Sequence, residues 1–104
     1  MVNSMKLNQQ VVCADGFAMS VQANANAYCR PKMTGAPVYQ EVEVGFPSVE
    51  EPMLMQWAED AHDPTGTVYA WVPVQVVTNV IAKHGGVVSG DVPPGVVKLH
   101  AHSR

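Results

Sequence analysis

The stretch at 67–86, TVYAWVPVQVVTNVIAKHGG, decides the fold because its hydrophobic period changes at Pro73. Ahead of Pro73 the residues alternate in the way that is typical of a strand, and this alternation puts Tyr69 and Trp71 on one side. Pro73 interrupts strand pairing because it lacks a backbone N–H, and its fixed φ suits the first turn of a helix. Beyond it, valine and isoleucine recur at helical spacing until two glycines supply a left-handed cap. The stretch predicts one strand that leads directly into one helix over about 73–84.

The weak point of the helix prediction is its content of β-branched residues. Five of the eight residues from Val74 to Ile81 are valine or isoleucine, and such residues lower helix propensity. A strand over these residues is therefore the alternative. The helical spacing and the glycine cap favour the helix.

Further strands are predicted upstream of this unit. The Asp-Gly dipeptide at 15–16 is a hairpin signal between 11–13 and 17–22, and hydrophobic and polar residues alternate in the second arm. The clearest strand pattern is 38–46, and 53–57 is interpreted as a fourth strand because its apolar residues also alternate. These patterns predict an α+β fold, a small antiparallel sheet of four to five strands with the helix packed on one face. Residues 1–104 form one domain, with a loose lead at 1–9 and an irregular tail at 87–104 that has room for one late edge strand.

The composition is that of a folded domain with few charges. Hydrophobic residues make up 47% of the 104 residues and charged residues 14%, which excludes a disordered tail. The net charge of −3 and the small number of lysines and arginines argue against general binding to a nucleic-acid backbone. No apolar run is long enough for a membrane span, and the first residues do not look like a secretion signal. We therefore expect a cytoplasmic protein.

So few charges on so small a domain also predict a homo-oligomer, most simply a symmetric dimer. Six Lys and Arg and nine Asp and Glu are available to keep the surface hydrated. The apolar face of the predicted fourth strand is the expected interface, and its residues are Met53, Met55 and Trp57.

Several residues that could carry chemistry are better explained by structural roles. Cys13 and Cys29 lie sixteen residues apart, and His100-Ala-His102 lies in the tail, so the spacing of a zinc site is absent. A cysteine nucleophile with His84 as base would need a third orienting group, and a small buried thiol is the expected reading. The acidic pairs at 50–51 and 59–60 are expected to be solvated. We therefore expect no cofactor, no metal and no enzyme.

The remaining functional signal is a sparse set of aromatic and basic residues. Tyr28, Arg30 and Lys32 lie together on a proline-bounded loop, and Arg30 is the one arginine apart from the C-terminal residue. Aromatic rings stack on bases, and arginine binds phosphate with two parallel hydrogen bonds. A small ligand or nucleotide would therefore be bound by Tyr28 and Arg30, with Lys32 and one of Tyr69 or Trp71 opposite.

The order of several short motifs resembles a family of small uncharacterised proteins from tailed bacteriophages. The resemblance covers roughly residues 10–86 and rests on MSVQA (19–23), Tyr28-Cys29 near a proline, VEVGFPS (42–48), Glu51-Pro52, TVYAWVP (67–73) and KHGG (83–86). It implies a phage accessory protein in the host bacterial cytoplasm, and it implies no functional residue. In that setting a non-enzymatic binding protein would act in counter-defence, either by blocking a host protein or by sequestering a nucleotide immune signal. The alternatives are a structural or packaging-related accessory protein and, less favoured, a small Cys/His-dependent enzyme.

Overall fold

The computed structural model describes residues 7–102 and shows one antiparallel sheet with one main helix against it. The predicted α+β fold is confirmed. A short 3₁₀ helix, Pro52–Trp57, precedes the fourth strand, and the main helix α1 spans Val74–Lys83. The five strands lie in the spatial order β4-β3-β2-β1-β5, and their bounds are β1 Val11–Cys13, β2 Ala18–Gln22, β3 Glu41–Gly45, β4 Val68–Pro73 and β5 Val87–Ser89.

The predicted hairpin joins β1 to β2. Gly16 has φ of +94°, a conformation that glycine adopts without steric cost, and the Asp15 carboxylate accepts a hydrogen bond from the Phe17 N–H at 2.9 Å. Val11 then pairs with Met19, and both side chains are fully buried. The turn chemistry therefore sets the register that directs one face of β2 into the core.

The helix prediction is also confirmed, and the strand alternative for 74–81 is wrong. Pro73 occupies the N-cap, and Gly85 and Gly86 follow the helix with φ of +94° and +92°. Val77, Val80 and Ile81 are completely buried in the same core cluster as the inner face of the sheet. Burial of such a side chain contributes about 1.5–3 kcal/mol, whereas its helix propensity costs at most about 0.7 kcal/mol relative to alanine. Packing therefore outweighs propensity.

The predicted fourth strand at 53–57 is wrong, because these residues form the 3₁₀ helix instead. Pro52 stands in its first turn, and the Glu51 side chain caps it by accepting from the Met53 N–H at 2.9 Å. Leu54 is the fully buried side chain of this helix, whereas Met53, Met55 and Trp57 are partly buried. The alternation of apolar residues therefore did not indicate a strand.

Beyond the helix the chain forms one short edge strand, β5, and no other helix or strand up to residue 102. β5 pairs with the edge of β1 that does not pair with β2, with Val12 opposite Ser89, and it forms one edge of the sheet. At the other edge, β4 pairs with β3 through a register shift between Val42 and Val44. The helix therefore connects the two edge strands by crossing over one face, and no helix formed by residues 7–102 covers the opposite face.

Candidate binding surface

We call the helix-free side of β2 and β3, which carries Ser20, Gln22, Glu41 and Glu43, the outer face. These side chains alternate with the buried Val21, Val42 and Val44. Each outer-face residue is partly buried, and Asn8 and Tyr28 hydrogen-bond to Gln22 and Glu43 on this face. The functional residues that the sequence suggested can be placed relative to it.

Trp71 reaches the outer side through a β-bulge. Val42 pairs with Val72 and Val44 pairs with Tyr69, so two residues of β4 lie opposite the one residue Glu43. Trp71 has φ of +52° and is 49% exposed, whereas Tyr69 and Val72 on either side are completely buried. The predicted alternation that put Tyr69 and Trp71 on one side is therefore wrong, because the extra residue rotates Trp71 outward.

Tyr28 is held beside Trp71 by its backbone. Its N–H donates to the Glu43 carboxylate at 2.9 Å, and its carbonyl oxygen accepts from the Trp71 N–H at 3.1 Å. The two rings lie with centroids 5.2 Å apart at an angle of 47°, a tilted arrangement within the favourable range for aromatic pairs. Tyr28 is thus fixed by β3 through Glu43 and by β4 through Trp71, while 41% of it stays exposed.

The two basic residues of the predicted site are near this pair but are not equivalent. The Lys32 ammonium lies 5.9 Å from the centre of the Tyr28 ring and donates to the Ala27 carbonyl oxygen at 3.4 Å. The Arg30 guanidinium forms an exposed ion pair with Glu41, with 3.3 Å between Nε and Oε1. Arg30 therefore has a carboxylate partner already, and an incoming phosphate would have to compete with it.

A cleft of about 460 Å³ lies next to the aromatic pair on the outer face. Phe46 borders it, has φ of +50° and is 53% exposed. Among residues 7–102, Phe46 and Trp71 are the two non-glycine residues with positive φ. The other lining residues are Leu7, Ser20, Gln22, Asn24, Asn26, Ala27 and Glu43.

We call Tyr28, Trp71 and Phe46, together with the cleft that Phe46 and Glu43 line, the aromatic surface. Tyr69 does not belong to it, because its side chain is fully buried and its hydroxyl donates to the Pro64 carbonyl oxygen at 2.6 Å. Sequence reasoning missed Glu43 and Phe46. Phe46 precedes Pro47, which normally restricts a residue to extended conformations, so the sequence carries no signal for its left-handed backbone.

The expected interface residues Met53, Met55 and Trp57 are not fully exposed. All three are partly buried and pack against the core of their own chain. Their remaining accessible surface belongs to the 3₁₀ helix and not to the strand face that the sequence predicted.

A second cluster of polar residues lies at the C-terminal end of α1. The two ring nitrogens of His84 are each 2.6 Å from a carboxylate oxygen, Nδ1 from Asp15 and Nε2 from Glu51. Lys83 donates to the other oxygen of Glu51 at 2.8 Å, and the Phe17 ring stacks on the imidazole with centroids 4.0 Å apart. Glu51 is 1% exposed, so the expectation that it is solvated is wrong.

Hydrogen bonds set the ionisation of this cluster. Burial lowers the pKa of His84, but the bonds to Glu51 and Asp15 outweigh burial, and the pKa lies above its ordinary value. The Phe17 N–H, followed by His84, holds the pKa of Asp15 below its ordinary value. Burial raises the pKa of Glu51, but the bonds from Lys83, the Met53 N–H and His84 together lower it. The three shifts therefore all favour the charged forms of His84, Asp15 and Glu51 in the folded chain.

This network leaves no ring nitrogen of His84 available to deprotonate a thiol. Cys29 is buried, with its sulfur 3.2 Å from the Asn24 carbonyl oxygen, and burial followed by the charge of Asp15 raises the pKa of Cys13. For Cys13, burial and the charge of Asp15 therefore both oppose the reactive thiolate that a nucleophile needs. Within the described part of the chain, no group of three or more His, Cys, Asp or Glu side chains is arranged to hold a metal ion.

No helix among residues 7–102 combines the length and the apolar character needed to cross a bilayer. Comparisons with protein-family models, with curated proteins and with solved structures find no match for this chain. The geometry of its own residues is therefore what bears on its function.

Proposed function

We propose that this chain is a non-enzymatic binding protein and that the aromatic surface is where its partner binds. One observation carries the proposal: two non-glycine residues, Phe46 and Trp71, have left-handed backbone and both are half-exposed aromatics. A left-handed conformation costs a non-glycine residue about 1–2 kcal/mol, and such strain concentrates at ligand-contacting positions. About half of each residue stays exposed, so both rings are accessible to a partner.

The surroundings favour a protein partner over a nucleotide. Arg30 is paired with Glu41, and Glu43 adds a second carboxylate next to the aromatic pair. A phosphate would meet these two negative charges, with Lys32 as the remaining cation around the site among residues 7–102. Exposed tyrosine and tryptophan are the side chains that contribute most binding energy at protein interfaces.

In the phage setting that the sequence resemblance implies, this function is that of a counter-defence factor that blocks a host protein in the bacterial cytoplasm. Sequestration of a nucleotide immune signal is the less favoured form of the same proposal. The proposal of a non-enzymatic role is supported by His84, whose nitrogens are both occupied by carboxylates.

Photo-crosslinking from single positions tests the proposal. A photoreactive phenylalanine analogue replaces Trp71 in one protein and Gln75, on the exposed side of α1, in the control. We expect a discrete adduct with one host protein from position 71 and none from position 75. An adduct with a second copy of this chain would favour the structural alternative, and the absence of any adduct from position 71 would contradict the proposal.

A further inference from the structure

The cleft of the aromatic surface has the chemistry to select one kind of side chain. Among the described residues that line it, Glu43 is the only ionisable one. One oxygen of its carboxylate accepts the Tyr28 N–H, and the second oxygen makes no hydrogen bond to any residue from 7 to 102. The cleft therefore contains a negative charge with unused acceptor capacity.

The remaining polar groups of the cleft are hydroxyl and amide groups. Gln22 is held in place on both sides, because its Oε1 accepts from the Asn8 N–H at 2.9 Å and its Nε2 donates to the Asn8 carbonyl oxygen at 2.9 Å. Asn24 is 6% exposed, and its side-chain oxygen accepts from the Asn26 N–H at 2.8 Å. These bonds fix the polar wall, so the cleft is formed before any ligand arrives.

Phe46 forms the apolar boundary of the same cleft. Its left-handed backbone holds the ring at the cleft margin, half exposed to solvent. The face of an aromatic ring attracts a cation, most often a guanidinium. Phe46 is the one aromatic ring among the described residues that line the cleft, so it is the ring that a cation entering the cleft would meet.

We propose that the cleft binds a basic side chain of the partner protein, an arginine that pairs with Glu43 and lies against Phe46. The proposal rests on the proposed function and names the partner group that the aromatic surface recognises. A guanidinium matches the arrangement because it is planar, donates several hydrogen bonds in one plane and loses its hydration shell more readily than an ammonium. A phosphate is disfavoured by the same carboxylate.

The probe that tests this is N-acetyl-L-arginine amide, titrated into the full chain while the backbone amide NMR spectrum is recorded. The corresponding citrulline amide, which has the same shape without the charge, and adenosine monophosphate are titrated in parallel. We expect the arginine probe to shift the amide signals of Gln22, Asn26 and Glu43. The citrulline probe should bind at least about tenfold more weakly, because it loses a hydrogen bond between charged groups.

Two matched variants assign the interaction to Glu43. Glu43→Gln retains an oxygen for the Tyr28 N–H, so the fold is kept, and it should weaken binding of the arginine probe about tenfold or more. Glu41 lies on the same face, pairs with Arg30 and does not line the cleft. Glu41→Gln should therefore leave binding of the arginine probe unchanged.

Three results would overturn the inference. These are equal binding of the citrulline probe, an unchanged affinity in Glu43→Gln, and preferential binding of adenosine monophosphate. If the arginine probe fails while crosslinking from position 71 still captures a host protein, this inference is wrong and the proposed function stands. Loss of the crosslink contradicts the proposed function itself.

Discussion

His84 joins distant parts of the chain, because its two ring nitrogens connect the β1–β2 turn to the residue that caps the 3₁₀ helix. Asp15 lies 69 residues away in sequence and Glu51 lies 33 residues away. Lys83 pairs with the buried carboxylate of Glu51, and Asp15 faces the imidazole of His84. The network is therefore a stabilising contact whose strength depends on ionisation.

The pH dependence of stability follows from the directions of the pKa shifts. A group whose pKa is higher in the folded chain stabilises it while protonated, so the His84 contribution is complete below about pH 6.5 and is lost as the pH rises through its raised pKa. Asp15 and Glu51, with lowered pKa values, contribute above about pH 4.3 and lose that contribution in acid. We predict that the free energy of unfolding is greatest between these limits and falls toward pH 8.

Urea denaturation from pH 5 to pH 8 measures this dependence, with His84→Gln as the comparison. The substitution should flatten the decline on the alkaline side, since glutamine does not titrate. Parallel pH profiles for the two proteins would show that His84 is not the group responsible. The range stops at about pH 8 because the raised pKa of Cys13 adds its own destabilisation above the ordinary thiol value.

Glu51 and its neighbour Glu50 provide a matched pair for the same network. Glu51 is 1% exposed and accepts hydrogen bonds from Lys83, His84 and a backbone N–H, whereas Glu50 is exposed. Glu51→Ala removes the carboxylate partner of Lys83, one of the two partners of His84 and the cap of the 3₁₀ helix, so we predict a loss of about 2–4 kcal/mol in the free energy of unfolding. Glu50→Ala should change it by less than about 0.5 kcal/mol. Chemical denaturation measures both, and equal effects would contradict the network.

At the scale of elements, the bulge in β4 decides which aromatic residue is structural. Tyr69 is part of the core and Trp71 is turned outward with a left-handed backbone. We predict that Tyr69→Ala costs about 3–5 kcal/mol, as for other large aromatic residues in cores. Trp71→Gly should be more stable than Trp71→Ala by about 1 kcal/mol, because glycine adopts φ of +52° without strain.

Thermal and urea unfolding of these three variants tests the bulge. A Trp71→Ala protein as stable as Trp71→Gly would mean that the backbone at this position is not left-handed. A loss at Trp71 as large as that at Tyr69 would mean that both aromatic residues are structural.

The elements with local signals were predictable, and those set by distant partners were not. Asp15-Gly16 and Pro73 act through their own backbone preferences, so the hairpin and the start of α1 could be read from sequence. The bulge at Trp71 depends on its pairing with β3, which a pattern within β4 does not contain. Tyr28 and Trp71 were selected for their residue type, and the structure places their rings side by side. Phe46 and Glu43 were not selected, because their positions depend on the outer face that the whole sheet forms.

At the scale of the whole molecule, the low charge content leads us to predict a dimer. Light scattering of the purified chain at micromolar concentration should give twice the mass of one chain. The 3₁₀ helix with Met53, Met55 and Trp57 remains the predicted interface, although each of these residues already packs partly on its own core. Gln56→Arg, a change at an exposed position within this helix, should weaken the dimer, and a monomer mass for the unmodified chain would contradict the prediction.

The most direct test of the binding surface is the dissociation constant of the crosslinked partner, once purified, for this chain and its variants. Tyr28→Ala and Trp71→Gly should each weaken binding by about 30-fold, the effect of losing a central aromatic contact of about 2 kcal/mol. Gln75→Ala, on the exposed side of α1, should leave the constant unchanged. Unchanged affinity in both aromatic variants, or an equal loss in Gln75→Ala, would contradict the account that these strained and exposed aromatic residues are the binding surface.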